Sequence, residues 1–326
     1  MPEIIAFPGL SSTAFEHPTD RQALAALKRV PGIDWAFRKF NEYGGDRAGR
    51  LFCLSDMVRV DGAQCASLHE MLTDCCRVLD MPVPQLYIDQ RPGANAHTFG
   101  VEQPIIVMNS GLLELLDEAE WRVVLGHELG HIKAGHSLYR QVAEFLARLA
   151  LGLGARTFGL GRGLGVGLFY AFFHWYRQSE LTADRAGLLA SQDLDAVLNT
   201  DMKLAGGSRK LYAQMNRDAF LQQGRDYEEL GKDTLNQFYK MGQTLATTHP
   251  FPAVRALEIN TWAAGGEYAR ILEGHYARRG AGAPPTADAF ADTPPDDART
   301  CPNCGATVRY RAFVFCPECG ADLPKV

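Results

Sequence analysis

Hydrophobic positions recur at helical spacing through most of residues 1–280. The stretches QALAALKRV and SLHEMLTDCCRVLDM each place their apolar residues on one face of a helix, and Pro31 with Gly32 ends the first of them. Helical patterns return near residue 176 and continue to about residue 280. This part of the chain is therefore predicted to be mainly helical.

A short strand-rich stretch interrupts the helical pattern. The runs QLYID, AHTFGV and PIIVMNS are brief, apolar and bounded by turn residues, and Glu102-Gln103-Pro104 predicts a tight connection between the last two. A small β-sheet among many helices gives an α+β fold class.

The clearest helix start lies at Asp117. Its carboxylate can accept the backbone N–H of Glu120, three residues later, in a capping box, and the apolar-periodic run WRVVLGHELGHIKAGH follows. We expect this helix to continue to about Leu151.

The composition of the 326 residues is that of a globular protein, because 46% of them are hydrophobic, and this excludes wholesale disorder. The net charge of −5 provides no broad basic surface, so no nucleic-acid partner is expected. The first residues have neither the basic start nor the apolar core of a secretory signal, and the cysteines before residue 280 follow no disulfide spacing. We expect a cytoplasmic protein with reduced thiols.

The segment 145–176 carries no acidic residue. Its longest uncharged run, from Gly163 to Tyr176, is 14 residues long, and a membrane-spanning helix needs about 20. A buried or dimer-forming helical hairpin is the simplest interpretation. The alternative is a hairpin that makes peripheral contact with a membrane through its basic and aromatic residues.

The sequence His127-Glu128-Leu129-Gly130-His131 has the H-E-x-x-H pattern on a predicted helix. Residues four apart share a helix face, so both histidines can direct a ring nitrogen at one zinc ion. Glu128 is then placed to take the proton of a water molecule that attacks a carbonyl.

A catalytic zinc ion requires a third protein ligand. On a continuous helix His136 is rotated about 140° from His131, and we expect it to be solvated or to act only indirectly. Glu144 lies too close along the same helix and points elsewhere. Glu180 is the first suitable carboxylate after it, and Asp184 follows one turn later, so one can bind zinc while the other accepts a hydrogen bond from a ligand histidine.

These motifs resemble those of the zinc metallopeptidases typified by the prenyl-protein (CAAX) endopeptidase and the bacterial heat-shock protease HtpX, which are gluzincins. The resemblance covers about residues 15–275. It depends on the segments NAHTFG, HELGHIKAGH, SELTADRAG and THPFPAVR. It implies a zincin-like fold for residues 1–280.

The resemblance also implies roles for individual residues. Glu180 would be the third zinc ligand, and Asp184 the acid that binds a ligand histidine. His249 would stabilise the oxyanion of the tetrahedral intermediate. The strand residues Asn95, Ala96, His97 and Thr98 would pair with the backbone of an extended substrate.

The C-terminus contains a separate cysteine module. Residues 281–300 are rich in Pro, Ala, Asp and Thr and predict a flexible linker. Residues 301–326 contain two C-P-x-C-G units, whose thiols suit one structural zinc ion in a zinc ribbon, with a rubredoxin-like iron site as the alternative. The four cysteines are Cys301, Cys304, Cys316 and Cys319. We expect the ribbon to contact a protein partner, and Arg309 with Arg311 leave nucleic-acid contact as the alternative.

Together these features predict a zinc endopeptidase with one catalytic and one structural zinc ion. Its substrates would be extended or unfolded polypeptides, as in protein quality control. The alternative is a chaperone-like or interaction module that binds zinc without catalysis. The presence of Glu128 favours the enzyme, because a scaffold does not need that base.

Overall fold

The structure is a computed structural model. It describes residues 4–28, 46–100, 103–137, 139–141, 160–208, 210–230, 251–279, 299–303, 305, 307–308 and 323. Of residues 26–28, 160–171, 173–174, 299 and 307–308 it describes the backbone alone.

Helices dominate the described part of the chain. Their bounds are α1 (Pro18–Lys28), α2 (Arg47–Asp56), α3 (Ala66–Leu79), α4 (Ser110–Leu115), α5 (Glu118–Lys133), α6 (Leu160–Ser191), α7 (Leu194–Gly206), α8 (Arg217–Leu230), α9 (Pro252–Ala264) and α10 (Glu267–Leu272). The strands are β1 (Val58–Val60), β2 (Gln85–Asp89), β3 (Ala96–Phe99), β4 (Ile105–Asn109), β5 (Arg299–Thr300) and β6 (Thr307–Val308). The predicted α+β class with a small sheet is confirmed.

The first four strands form one sheet in the order β1-β2-β4-β3. Strands β2 and β4 are parallel, whereas β1 and β3 are antiparallel to their neighbours, so β3 lies at a sheet edge. The three predicted strands are present and β1 was not predicted. Residue 101, the last of the predicted run AHTFGV, and residue 102 of the predicted tight connection lie outside the described residues.

The two faces of the sheet pack against different partners. Leu86, Ile106 and Met108 join the large helical core, whereas Tyr87 and Val107 point to the other face. A smaller cluster with Cys53 of α2 covers that face. The central strand β4 is buried along its whole length, as expected for a strand covered on both faces.

Helices α5 and α6 form the central packing of the domain. A Cβ atom built on Gly126 would lie 2.5 Å from the Cβ of Ala190, and one built on Gly130 would lie 2.6 Å from the Cβ of Ala186. The two helix backbones therefore approach closely at small residues. This close approach brings the H-E-x-x-H segment of α5 against the segment of α6 that contains Glu180.

The prediction of one helix from Asp117 to about Leu151 was wrong at its end. Helix α5 ends at Lys133, and Gly135 has a φ of 75°. A glycine with left-handed backbone just after a helix is a common stop, because it lacks a Cβ that would clash. Helical backbone begins again at His136. The turn changes the direction of the chain between His131 and His136.

Two predicted regions are described only in part. Residues 160–176 of the segment 145–176 form the first half of α6, and residues 142–159 lie outside the described residues. None of the helices in the described ranges combines the length and the apolar character needed to cross a membrane.

Little of the predicted linker and zinc ribbon is described. Arg299 and Thr300 pair as strand β5 with β6, and Cys301 is buried next to them. Cys304, Cys316 and Cys319 lie outside the described residues. The ribbon and the domain boundaries stay predictions.

Candidate metal centre

The start of α5 is built as its sequence predicts. The Asp117 carboxylate accepts the backbone N–H of Glu120 at 3.1 Å, and the Glu120 carboxylate accepts the backbone N–H of Asp117 at 2.9 Å. This capping box satisfies two backbone donors that have no partner within the helix. It confirms the predicted helix start ten residues before His127.

His127 and His131 lie one turn apart on α5, and Glu180 faces them from α6. Their rings approach to 3.2 Å between the two Nε2 atoms. Glu180 places Oε2 at 3.5 Å from Nε2 of His127 and Oε1 at 3.3 Å from Nε2 of His131. All three side chains are buried.

These distances fit a bound zinc ion. Two ligand atoms at about 2.0–2.1 Å from zinc in tetrahedral geometry lie about 3.3 Å apart. The ligand atoms of His127, His131 and Glu180 all lie within 4.8 Å of one another, and no other such cluster occurs among the residues described here. Two imidazoles and a carboxylate are also a typical ligand set of catalytic zinc.

Asp184 supports the first histidine from one turn further along α6. Its Oδ1 lies 2.9 Å from Nδ1 of His127. When the carboxylate accepts the Nδ1–H, the lone pair of His127 is on Nε2, which faces the cluster. The contact is compatible with the role predicted for Asp184, which stays a prediction.

Arg255 of α9 was missed by the sequence analysis. Its Nε donates to Oδ2 of Asp184 at 2.8 Å and its Nη2 donates to Oδ1. The guanidinium is buried, and Nη1 lies 3.5 Å from Oε2 of Glu180. The only signal in the sequence was the position of Arg255 at the end of the segment THPFPAVR.

The buried charges change the pKa values of the site. Burial lowers the pKa of His127, but hydrogen bonds and the charges of Asp184 and Glu180 outweigh it and raise the pKa to about 10. Burial lowers the pKa of His131 to about 3. Burial would raise the pKa of Asp184, yet the charge of Arg255 and hydrogen bonds lower it. The ionised carboxylate of Asp184 beside His127 thus favours a cation at this place.

Glu128 and Tyr176 complete the surroundings of the cluster. Glu128 follows His127 directly and is buried, with 4% of its surface exposed. The ring of Tyr176 stacks on that of His131 with centroids 6.3 Å apart. Burial, together with the charge of Glu180, raises the pKa of Tyr176, so its phenol stays protonated.

His136 lies next to the cluster but is not part of it. Its Nδ1 is 3.0 Å from Nδ1 of His131, on the side of that ring that faces away from Glu180. It is buried, with 2% exposure, so the solvated role is excluded and the indirect one remains. The expected rotation of 140° does not apply, because the helix ends at Lys133.

The residues predicted to bind substrate lie on or just before strand β3, at one edge of the sheet that the described strands form. Ala96 and Thr98 are buried, whereas His97 is half-buried and stacks on Phe99 at 6.2 Å. Asn95 is exposed and precedes β3, and its carbonyl accepts the backbone N–H of Asn109. Strand β3 contacts α5, so this edge lies beside the histidine helix. His249 lies outside the described residues.

Comparison with known proteins agrees with this geometry. The sequence profile of peptidase family M48 matches residues 62–263. The chain is 35% identical over 279 residues to the plastoglobule-localized metallopeptidase 48 of Arabidopsis thaliana, covering 82% of this chain and 78% of the relative. It is 33% identical over 93 residues to the protease HtpX homolog 2 of Methanosarcina mazei, covering 28% of this chain and 32% of that protein.

A third relative is the protease HtpX homolog of Kineococcus radiotolerans, which is 33% identical over 110 residues, covering 33% of this chain and 37% of that protein. No solved structure matches significantly. The HtpX side of the predicted resemblance is supported, and the prenyl-protein endopeptidase side stays a prediction. The chain belongs to peptidase family M48 and is a metallopeptidase.

Proposed function

We propose that this protein is a zinc-dependent endopeptidase that hydrolyses peptide bonds in extended or unfolded polypeptides. The observation that carries the proposal is the buried cluster of His127, His131 and Glu180, whose ligand atoms are spaced as in a tetrahedral zinc site. A role in protein quality control would follow from such substrates.

The residues around the cluster have separate tasks in this proposal. His127, His131 and Glu180 hold the zinc ion, which would polarise the scissile carbonyl and make water more acidic. Glu128 accepts the proton of the attacking water, and His249 donates to the developing oxyanion. Asp184, held by Arg255, keeps His127 in the tautomer that leaves Nε2 free.

The sheet edge supports the choice of substrate. Strand β3 has a neighbour, β4, on one side only among the described strands, and it contacts α5. An extended peptide could add as a further strand along Asn95–Thr98 and so lie beside the cluster. An unfolded segment has its backbone donors and acceptors available for such pairing, whereas most of those in a folded protein are already paired.

The substitution Glu128→Gln tests the enzyme against the non-catalytic alternative. Glutamine keeps the shape but cannot take the proton, so cleavage of a fluorescently labelled unfolded protein should fall by about 10²–10⁴-fold. Zinc content should stay unchanged. Glu118→Gln, at an exposed position of the first turn of the same helix, is the matched control and should cleave normally.

Two outcomes would contradict this proposal. A zinc-loaded wild-type protein that binds unfolded polypeptide without cleaving it would support the chaperone-like alternative. Near-normal turnover by Glu128→Gln would refute the role of that residue. Addition of a chelator should stop cleavage, and zinc should restore it.

We also propose a structural zinc ion bound by Cys301, Cys304, Cys316 and Cys319. The buried position of Cys301 and the pairing of β5 with β6 support it. Metal analysis should give two zinc ions per chain, and Cys301→Ser should remove one of them without loss of the other. A cytoplasmic location and a protein partner for the ribbon complete the proposal. For segment 145–176 we propose a buried or dimer-forming hairpin, with peripheral membrane contact as the alternative.

A further inference from the structure

A second chain of hydrogen-bonding groups leads from the other ligand histidine to the N-terminal helix. Nδ1 of His131 lies 3.0 Å from Nδ1 of His136, and Nε2 of His136 lies 3.0 Å from Oδ2 of Asp20 on α1. All three side chains are buried, with exposures of 4%, 2% and 0%. Solvent therefore does not compete for these contacts.

The partners of Asp20 show that it acts as an acceptor. Trp175 Nε1–H donates to its Oδ1 at 3.0 Å, and the Thr182 hydroxyl lies 2.6 Å from its Oδ2. The Thr182 oxygen accepts the backbone N–H of His17 at 3.0 Å, so its hydroxyl hydrogen is left to donate to Asp20. These two donors suit an ionised carboxylate that only accepts.

An accepting carboxylate determines where the ring protons are. Nε2 of His136 must carry a hydrogen to donate to Asp20, and in a neutral ring its Nδ1 is then an acceptor. The Nδ1 of His131 must carry a hydrogen to donate to it. The lone pair of His131 is then on Nε2, which faces His127 and Glu180.

We propose that Asp20 and His136 are positioning residues that hold His131 in the tautomer and orientation that bind the metal ion. This proposal depends on the proposed function only in that His131 is a metal ligand. It gives each ligand histidine its own carboxylate: Asp184 acts directly on His127, whereas Asp20 acts on His131 through one imidazole.

The proposal also gives the N-terminal helix a part in the site. Asp20 lies before the residues 62–263 that match the family profile. Helix α1 packs on α6, the helix that carries Glu180, so Asp20 reaches His136 across the end of α5. Burial would raise the pKa of Asp20, but its three side-chain hydrogen bonds lower it, in keeping with an ionised acceptor.

The first test is Asp20→Asn, a change of nearly equal shape. An amide directs its NH₂ group either at the Trp175 donor or at the edge shared by Thr182 and His136. In the second orientation it forces the opposite tautomer on His136 and then on His131. We expect the affinity for zinc at this site to fall 10–100-fold, as is typical when a partner of a ligand histidine is lost.

The second variant is His136→Phe, which keeps a ring but leaves His131 without its acceptor. It should lose zinc affinity to a similar extent. Affinities are measured on the full-length protein by competition with a fluorescent zinc chelator. The double variant His127→Ala, His131→Ala lacks two ligands of this site. The zinc that it still binds measures binding elsewhere in the chain.

A control separates positioning from general stability. Val78→Ala removes buried side-chain atoms from α3, far along the chain from Asp20 and His136, and should lower Tm while leaving zinc affinity unchanged. If Asp20→Asn and His136→Phe fold and bind zinc as tightly as the wild type, the proposal is overturned.

A measurement on the unmutated protein avoids the risk that the variants fail to fold. With ¹⁵N-labelled histidine and zinc bound, NMR should show His136 as the Nε2–H tautomer and His131 with its hydrogen on Nδ1. The opposite tautomer of His136 would overturn the proposal. A wild-type protein that binds zinc but cleaves nothing refutes the peptidase function alone. Normal cleavage by the wild type, together with unchanged zinc affinity in Asp20→Asn and His136→Phe, refutes this inference alone.

Discussion

Gly130 allows the two halves of the metal site to meet, so Gly130→Ala should damage the site without removing a ligand. The glycine lies between Glu128 and His131 on α5. A Cβ added to it would lie 2.6 Å from the Cβ of Ala186 and 3.1 Å from the Cα of Ala183 on α6. Neither atom is the end of a flexible side chain that could turn away.

The distances set the size of the effect. Carbon atoms in contact lie about 3.5–4.0 Å apart, so the helices must separate by about 1 Å. Alanine gains about 1 kcal/mol in helix propensity over glycine, whereas overpacking costs about 1–3 kcal/mol. The net change in unfolding free energy should be a loss of up to about 2 kcal/mol.

The effect on activity should exceed the effect on stability. Glu180 lies 3.3 and 3.5 Å from the two histidine nitrogens, and a displacement of about 1 Å removes it from the shared position of a metal ion. A misplacement of that size in a catalytic group can cost about 10²-fold in rate. We therefore expect kcat/KM to fall by about that factor and zinc affinity to fall with it.

The assay needs a glycine with open space as its control. Gly206 is the last residue of α7, and a Cβ added there would have no atom within 4 Å. Gly206→Ala should keep wild-type kcat/KM, and its Tm should not fall. Wild-type kcat/KM in Gly130→Ala, together with a raised Tm, would refute the reasoning, because only helix propensity would then matter.

Three further predictions concern stability and reactivity. Arg255→Met should lower the unfolding free energy measured in urea by about 3–5 kcal/mol, because the buried charge of Asp184 loses its partner. Adding Asp184→Asn removes that charge and should recover part of the lost free energy. Burial raises the pKa of Cys75 to about 12, so iodoacetamide at pH 8 should modify exposed Cys65 and spare Cys75 in mass spectra of the native protein. Asp117→Ala should cost about 1 kcal/mol through loss of the capping box, and an unchanged urea midpoint would contradict this.

The features that the sequence predicted correctly depend on neighbours along the chain. Strands β2, β3 and β4 follow from short apolar runs, and the capping box at Asp117 and Glu120 is made within four residues. The end of α5 was also a local signal, but the apolar pattern continued through Gly135 and outweighed it. A glycine alone was not sufficient to predict the stop, because glycines also occur inside α5.

The same distinction applies to the metal site. His127 and His131 are four residues apart, so helix geometry alone places them on one face. Glu180 was placed by the scarcity of acids before it and by a family resemblance. Asp20 lies 111 positions before His131, and Arg255 lies 71 positions after Asp184. Apart from the place of Arg255 at the end of THPFPAVR, nothing local distinguishes the two from other charged residues.

The small residues of α6 show why chemistry alone is an incomplete guide to such a site. Ala183, Ala186, Gly187 and Ala190 recur at helical spacing, and they receive Gly126 and Gly130 of α5. They carry no reactive group, yet their size determines how near Glu180 comes to the histidines. A stripe of small residues beside a candidate ligand therefore contains information about the site, because a carboxylate can complete it only where two helices can approach this closely. The segment ADRAGLLA contains these small residues, but only the packing of α5 against α6 shows that they face Gly126 and Gly130.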